Sequence, residues 1–276
     1  MTAATGPGEV AVHWLGHASV VLDLGGVRLL TDPLLRAHAG LLRRAAARPR
    51  AEDWAGAAAV LLSHLHHDHA ELGSLALLGD VPVLCAPANA RWLDGHGVRS
   101  AVGLPPDTWW TVPGSSVRVR TVPAVHGDRP MPHRPNAANG FLVVAEDVRV
   151  WFAGDTAPYP AMRALPDLAG GPLDLALVPV GGWGPRLSGG HMDPVQAAEV
   201  CLAVGARRAV PVHWGTLHAP ASRRLPPGWM DRAGPAFAAA LGRLGASRPA
   251  AAGVTEAVVL APGGRMVLGL GVRDTR

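Results

Sequence analysis

Hydrophobic positions fall in short runs, and their spacing changes along the chain. VAVHWLGHASVVLDLGGVRLLTDP (10–33) carries apolar, β-branched stretches broken at Gly16 and at Gly25–Gly26, a pattern that predicts antiparallel strands with tight turns. Residues 34–57, rich in Ala, Arg and Pro, read as a surface loop or short helix. AAVLLS (58–63) is a short buried strand, ELGSLALLG (71–79) has helical spacing, and VPVLCAP (81–87) is a further strand. ANARWLDGHG (88–97) is a short helix that Gly95 or Gly97 ends. In the middle, 109–127 and 140–156 read as strand, turn, strand, with Val, Arg and Thr alternating over 117–122 at the period of a half-buried strand. DLALVPVGG (174–182) and RRAVPVHWG (207–215) are strands flanking a helix over 192–206, with Asp193 as its N-cap and Pro194 in its first turn. A helix is expected over 235–244, its proline in the first turn, and a closing hairpin over 256–270 around Gly263–Gly264. Strands interspersed with helices in two similar halves, without a break in composition, predict a single α/β domain over 1–276.

Composition adds a few boundaries. The 276 residues are 49% hydrophobic and 17% charged, a globular balance, and no apolar run reaches the roughly 18 residues of a membrane span. The opening MTAATGPGEV has neither a basic region nor an apolar core, so no signal peptide is expected. Two cysteines, Cys85 and Cys201, allow at most one bridge, and that usage fits a cytoplasmic protein. The net charge is +4 and every one of the 25 basic residues is arginine. These are dispersed; the densest group is LLRRAAARPR (41–50), and no basic stripe of the kind that grips nucleic acid is present.

The chemistry concentrates at strand ends. SHLHHDHA (63–70) follows one predicted strand and AVHGD (124–128) another; AGDTA (153–157) ends a third, GGHMD (189–193) precedes a helix, and VHWGT (212–216) ends a fourth. Ends of neighbouring strands converge at one edge of a sheet, where ligands collect. That makes His64, His66, Asp68, His69, His126, Asp155 and His213 neighbours in space, an inventory too large for one metal and suited to two. His64 and His66, one residue apart, can face one ion with His67 directed elsewhere; Asp68 and His69 are then placed for a second, and the two oxygens of Asp155 can bridge the pair. Imidazole and carboxylate suit two divalent ions, with Zn²⁺ preferred and Mn²⁺ or Fe admissible, and the absence of local cysteine argues against a thiolate zinc site. Two such ions hold a bridging hydroxide and polarise a substrate oxygen, with Asp68 steering the hydroxide's proton.

HLHHDH (64–69) with His126, Asp155 and His213 resembles the metallo-β-lactamase fold superfamily over nearly the whole chain. WLGHAS (14–19), TDP (31–33), FAGDT (152–156), GHMDP (190–194) and HWGT (213–216) are similar to the branch holding L-ascorbate-6-phosphate lactonase and N-acyl-phosphatidylethanolamine-hydrolysing phospholipase D. The resemblance implies a four-layer αββα sandwich with the site at one edge between two sheets. It implies that His64, His66 and His126 hold one metal, that Asp68, His69 and His213 hold the other, and that Asp155 bridges them. It also implies that Asp32 orients a metal-bound histidine. Where phospholipase-like members carry an aromatic and basic residues after the third-motif histidine, Gly127, Asp128 and Arg129 follow His126.

The expected activity is therefore a dinuclear metal-dependent hydrolase acting on an ester, lactone or phosphodiester of a small-molecule, anionic substrate. A nuclease of the same fold and a non-catalytic metal-binding protein are the rivals; no inserted clamp domain favours the first, and the intact ligand set disfavours the second. His191, in a glycine-flanked loop, is a candidate to protonate the leaving group or stabilise charge on the substrate. His17 reaches the rim of the site or packs in the core. His133 and Arg134 read as a solvated loop. Trp183 and Trp214 adjoin the site loops as candidate walls of an apolar pocket.

Overall fold

The computed structural model describes residues 6, 8–126, 134–135, 137–146, 148–249 and 253–269. Continuous apolar runs have become strands buried on both faces, and these form two seven-stranded sheets. The first holds β1 (Glu9–Gly16), β2 (Ser19–Leu24), β3 (Val27–Thr31), β6 (Ala59–Leu61), β7 (Val83–Cys85), β8 (Ala101–Gly103) and β17 (Arg265–Gly269), in the order β17-β1-β2-β3-β6-β7-β8. The second holds β9 (Trp109–Thr111), β10 (Arg118–Pro123), β11 (Asn139–Ala145), β12 (Val148–Phe152), β13 (Leu175–Pro179), β14 (Arg208–Val212) and β16 (Glu256–Ala257), in the order β16-β14-β13-β12-β11-β10-β9. A small third sheet joins β4 (His38–Ala39), β5 (Leu42–Arg44) and β15 (Leu217–His218).

Both large sheets have the same grammar. Four strands pair antiparallel, then the last of them pairs parallel with a run of three more: β17-β1-β2-β3 leads into β6, β7 and β8, and β9-β10-β11-β12 leads into β13, β14 and β16. Parallel neighbours need crossovers, and the helices supply them. α2 (Leu72–Ala76) and α3 (Pro87–Asp94) lie in the connections between β6, β7 and β8. α4 (Leu165–Leu168) lies between β12 and β13, and α5 (Pro194–Ala203) and α6 (Trp229–Ala246) lie in the connections between β13, β14 and β16. Between the sheets lies one core, with Trp14, Leu22 and Leu61 from the first and Phe141, Phe152 and Val150 from the second. Leu75, Leu78, Ala90 and Leu93 of the helical segments cover the outer side of the first sheet, and Ala198, Cys201, Phe237 and Leu241 join the core on the outer side of the second. The result is the expected αββα sandwich of the metallo-β-lactamase type.

Local chemistry explains most element ends. Glu71 caps α2 by accepting from the backbone N–H of Gly73 and Ser74, and α3 stops at Gly95 as its sequence predicts. Asp193 caps α5 through Val195 and Gln196, and the Gln196 side chain returns to the Asp193 N–H, a reciprocal capping box. Both cysteines are free and buried.

Three expectations are corrected. The last helix starts at Trp229, so Pro235 lies inside it rather than in its first turn. A proline there costs a helix roughly 3 kcal/mol, but the added turns bury Met230 and press Gly234 onto the Trp214 indole, where a Cβ would come within 2.2 Å of the ring. The hairpin expected over 256–270 does not form among the described residues: β16 pairs with β14 in one sheet and β17 with β1 in the other. Within 34–57 the chain makes the β4–β5 hairpin as well as the short helix α1 (Ala51–Trp54), because β15 offers β5 a partner that lies far away in sequence.

Candidate metal centre

Six strand exits meet at one edge of the sandwich. Asp32 follows β3, the His-rich turn follows β6, His126 follows β10, Asp155 follows β12, the loop bearing His191 follows β13, and His213 follows β14. Two backbone bonds tie the sheets together here, Asn139 N–H to Ser63 O at 3.0 Å and His213 N–H to His17 O at 2.8 Å. Gly154 allows the closest approach: with φ +60 its missing Cβ would lie 2.6 Å from Ser63 Cβ.

All seven expected ligands come together. His64, His66 and His126 form one group whose donor atoms lie within 4.8 Å of one another, and Asp68, His69 and His213, with His17, form a second. Asp155 lies between the two groups. Its Oδ2 is 3.2 Å from His69 Nε2, 3.2 Å from His213 Nε2 and 4.0 Å from His126 Nε2. His66 Nδ1 faces His126 Nε2 at 3.0 Å. His67 is half-buried and belongs to neither group.

Four of the five rings, those of His64, His69, His126 and His213, are oriented from behind. His126 Nδ1 lies 2.9 Å from Gly190 O, and His213 Nδ1 lies 3.0 Å from Gly181 O. His69 Nδ1 lies 2.7 Å from Asp32 Oδ2, and His64 Nδ1 lies 2.9 Å from Ser63 Oγ, which itself donates to Asp32. A carbonyl or carboxylate only accepts, so these Nδ1 atoms carry the hydrogens and the Nε2 lone pairs turn inward. Asp32 therefore has the orienting position expected of it. It is fully buried and also accepts from the Ser63 N–H.

The inward atoms are unsatisfied by the protein. His64 Nε2 and Asp155 Oδ1 are buried with no hydrogen-bond partner among the described residues. His69 Nε2 and His213 Nε2 lie 3.0 Å apart, and with both Nδ1 atoms protonated two lone pairs would face each other. Only a proton or a cation reconciles that contact. Without a metal the proton falls to His69: burial opposes its charge, but Asp155, Asp68 and Asp32 outweigh burial and hold it well above the ordinary histidine value. Burial pushes Asp155 up, yet His213 and His69 bring it well below the usual carboxylate range. Asp68 is held low in the same way, against burial, by His69 and by the hydrogen bond from His17. A set of imidazoles and carboxylates, collectively short of positive charge and with orphaned inward atoms, fits divalent cations.

Two further candidates, His17 and His191, lie against the cluster. His17 is fully buried, its Nε2 2.9 Å from Asp68 Oδ2 and its ring 4.0 Å from that of His213. Burial lowers its pKa to about 3, so it serves as a neutral donor to the carboxylate. Of the two places the sequence offers it, the rim of the site or the core, it takes a buried one beside the cluster, in a β1–β2 turn with Gly16 at φ 110 and His17 at φ 53. His191 joins the centre: its Nε2 is 3.2 Å from Asp155 Oδ2, its Nδ1 lies 3.1 Å from Ser188 O, and its ring stands 4.9 Å from that of His126. Despite burial, the Asp155 contact raises its pKa.

The remaining candidates separate. Trp214 is a core residue, stacked on Trp14 at 5.4 Å. Trp183 is 47% exposed and, with Arg186, Leu187 and Ser188, lines a cavity of about 280 Å³ that ends on His191. His133 lies outside the described residues. Arg134, expected in a solvated loop, is instead half-buried: its Nη1 donates to Leu65 O and Ala70 O, and its guanidinium lies 4.7 Å over the Trp92 ring.

Comparison with known proteins gives the family. The chain is 28% identical to N-acyl-phosphatidylethanolamine-hydrolyzing phospholipase D 1 of Caenorhabditis elegans over 74% of its own length, and it spans only 63% of that relative. It is 28% identical to a UPF0173 metal-dependent hydrolase of Pyrococcus horikoshii, over 75% of this chain and 85% of the relative. The crystal structure of a metallo hydrolase from Ignicoccus hospitalis shares the fold, with a TM-score of 0.68 at 17% identity, covering 94% of this chain and 98% of that one. Residues 27–214, which run from β3 to the residue after His213, match the Beta-lactamase superfamily domain, and the chain belongs to that superfamily.

Proposed function

We propose that the protein is a metal-dependent hydrolase with a dinuclear centre, acting on an ester, lactone or phosphodiester bond of a small anionic molecule. The observation that carries this reading is the inward convergence of His69 and His213 Nε2 on Asp155 Oδ2, beside two buried atoms without a partner among the described residues, Asp155 Oδ1 and His64 Nε2. Metal-dependent hydrolases among the relatives support the reaction class. His64, His66 and His126 would hold one ion, Asp68, His69 and His213 the other, and Asp155 would lie between them. Bound there, divalent cations supply an acidified water and a Lewis-acidic hold on a substrate oxygen; Zn²⁺ suits the nitrogen-rich donors, and Mn²⁺ or Fe is compatible.

The chain's own groups complete the chemistry. Asp68, anchored by His17, is a carboxylate placed to take a proton from attacking water. His191 touches Asp155, which raises its pKa, and borders the cavity beyond, where it can give a proton to the leaving oxygen. Arg186 on the wall of that cavity suits an anionic substrate, and Trp183 and Leu187 provide apolar cover. Metal analysis of purified protein, followed by turnover of lactone, ester and phosphodiester panels, tests the assignment. We expect two metals per chain, loss of turnover on chelation and its return with Zn²⁺ or Mn²⁺. A chain that retains less than one metal and keeps full turnover as Asp155→Ala would sink the reading.

A further inference from the structure

We propose that Arg134 is a positioning residue, a clamp that holds the His66–His69 turn in its ligating shape before any metal arrives. This rests on the metal-centre reading above, but it is read from contacts the centre does not include. Arg134 Nη1 reaches Leu65 O at 2.8 Å and Ala70 O at 3.2 Å. Those two carbonyls bracket the turn, one just before His66 and the other just after His69. Inside the bracket the N–H groups of His69 and Ala70 both donate to His66 O, at 3.0 and 2.8 Å. A single guanidinium nitrogen therefore fixes the distance between the turn's ends. The guanidinium carbon also lies 4.7 Å from the centre of the Trp92 ring on α3, so the clamp is backed by an element of the outer layer.

The chemistry favours arginine at this position. A cation beside two backbone carbonyls makes charge-assisted bonds, stronger than neutral ones. A delocalised guanidinium can make them while its cation also faces an indole ring, a combination a compact lysine ammonium matches less well. The turn carries three of the seven proposed ligands, so freedom at its ends converts directly into a poorer fit for the metal. Partners that orient ligands from behind typically alter metal affinity by about tenfold to a hundredfold when removed.

The test compares wild type, Arg134→Ala and Arg134→Lys by two measurements. The first is hydrogen exchange of the metal-free protein; the second is Zn²⁺ affinity by competition with a chromogenic chelator. In Arg134→Ala, exchange should quicken at His69 and Ala70 while the β13 amides stay as slow as in wild type. Zn²⁺ affinity should fall about tenfold to a hundredfold. Arg134→Lys should recover part of the exchange protection and less of the affinity. Unchanged exchange at His69 and Ala70, or an affinity within twofold of wild type, overturns the clamp. Equal slowing or quickening across β13 and the turn also overturns it, because that is what a merely structural residue would give. If Arg134→Ala does not fold, Arg134→Lys is held to the same criteria. If wild type binds no Zn²⁺, the proposed function falls, and the exchange comparison alone still decides the clamp.

Discussion

Asp32 holds three groups with two oxygens, all out of contact with solvent: the Ser63 N–H, the Ser63 hydroxyl and His69 Nδ1. Through Ser63 it also sets His64, so one carboxylate orients a ring of each proposed metal group. The cost is a proton in the wrong place. With Nδ1 committed to Asp32, His69 can be charged only at Nε2, the atom that faces His213 and Asp155. Because its pKa is raised well above the ordinary value near 6.5, His69 carries that proton at neutral pH in the metal-free protein. Metal must therefore displace it, and the sign follows: affinity for Zn²⁺ rises with pH and falls as pH drops. Calorimetric titration at pH 7 in buffers of different ionisation heat should show release of about one proton or more per chain. A heat of binding independent of buffer would contradict this. At this scale the proposed ligands are readable because each is a His or Asp beside a strand exit. His17 and Arg134 are not, since a lone turn histidine and a loop arginine have no spacing to mark them; what makes them matter is a partner some fifty to seventy residues away.

The strand exits are held by glycine as much as by hydrogen bonds. After β12 the chain turns through Gly154 at φ +60, and no room is left for a side chain: an added Cβ would meet Ser63 Cβ at 2.6 Å and Asn139 O at 3.0 Å. That contact brings the exits of β6 and β12 together, and with them His64 and Asp155. Gly154→Ala combines left-handed strain with overpacking, together about 2–4 kcal/mol of destabilisation. Denaturant titration should show that loss as a lower midpoint, and Zn²⁺ affinity should fall as well. A midpoint equal to that of wild type would mean that the two exits are not pressed together. Elements with their own local signals were legible from sequence, as Glu71, Gly95 and Asp193 illustrate. Those governed by distant partners were not. Pro235 reads as a helix start, but the helix begins earlier to cover Trp214; Gly263–Gly264 reads as a hairpin turn, but the strands on either side join different sheets.

At the scale of the whole molecule, the repeated grammar of the sheets explains why the centre lies where it does. β3 and β12 occupy the same place in their sheets, the last antiparallel strand before the parallel run, and each is followed at its exit by an aspartate, Asp32 or Asp155. The next strands, β6 and β13, lead to the His-rich turn and to the loop of His191. The two similar halves that the sequence suggests thus become two sheets, each giving part of one site. No strand set alone contains it, so metal bound at the edge must stabilise the packing of one sheet on the other. Free metal at a thousandfold excess over its dissociation constant adds about 4 kcal/mol per site. For a chain of this size that is a rise of roughly 8–16 °C in the thermal midpoint. Chelation should remove the increment and re-addition restore it. The sharper test removes one ligand from each side: His64→Ala at the exit of β6 and His213→Ala at the exit of β14. If the centre spans both sheets, each variant should lose most of the metal-dependent rise. A variant that kept the full rise would leave the metals with the other sheet alone, and the coupling between the halves would have to come from the core.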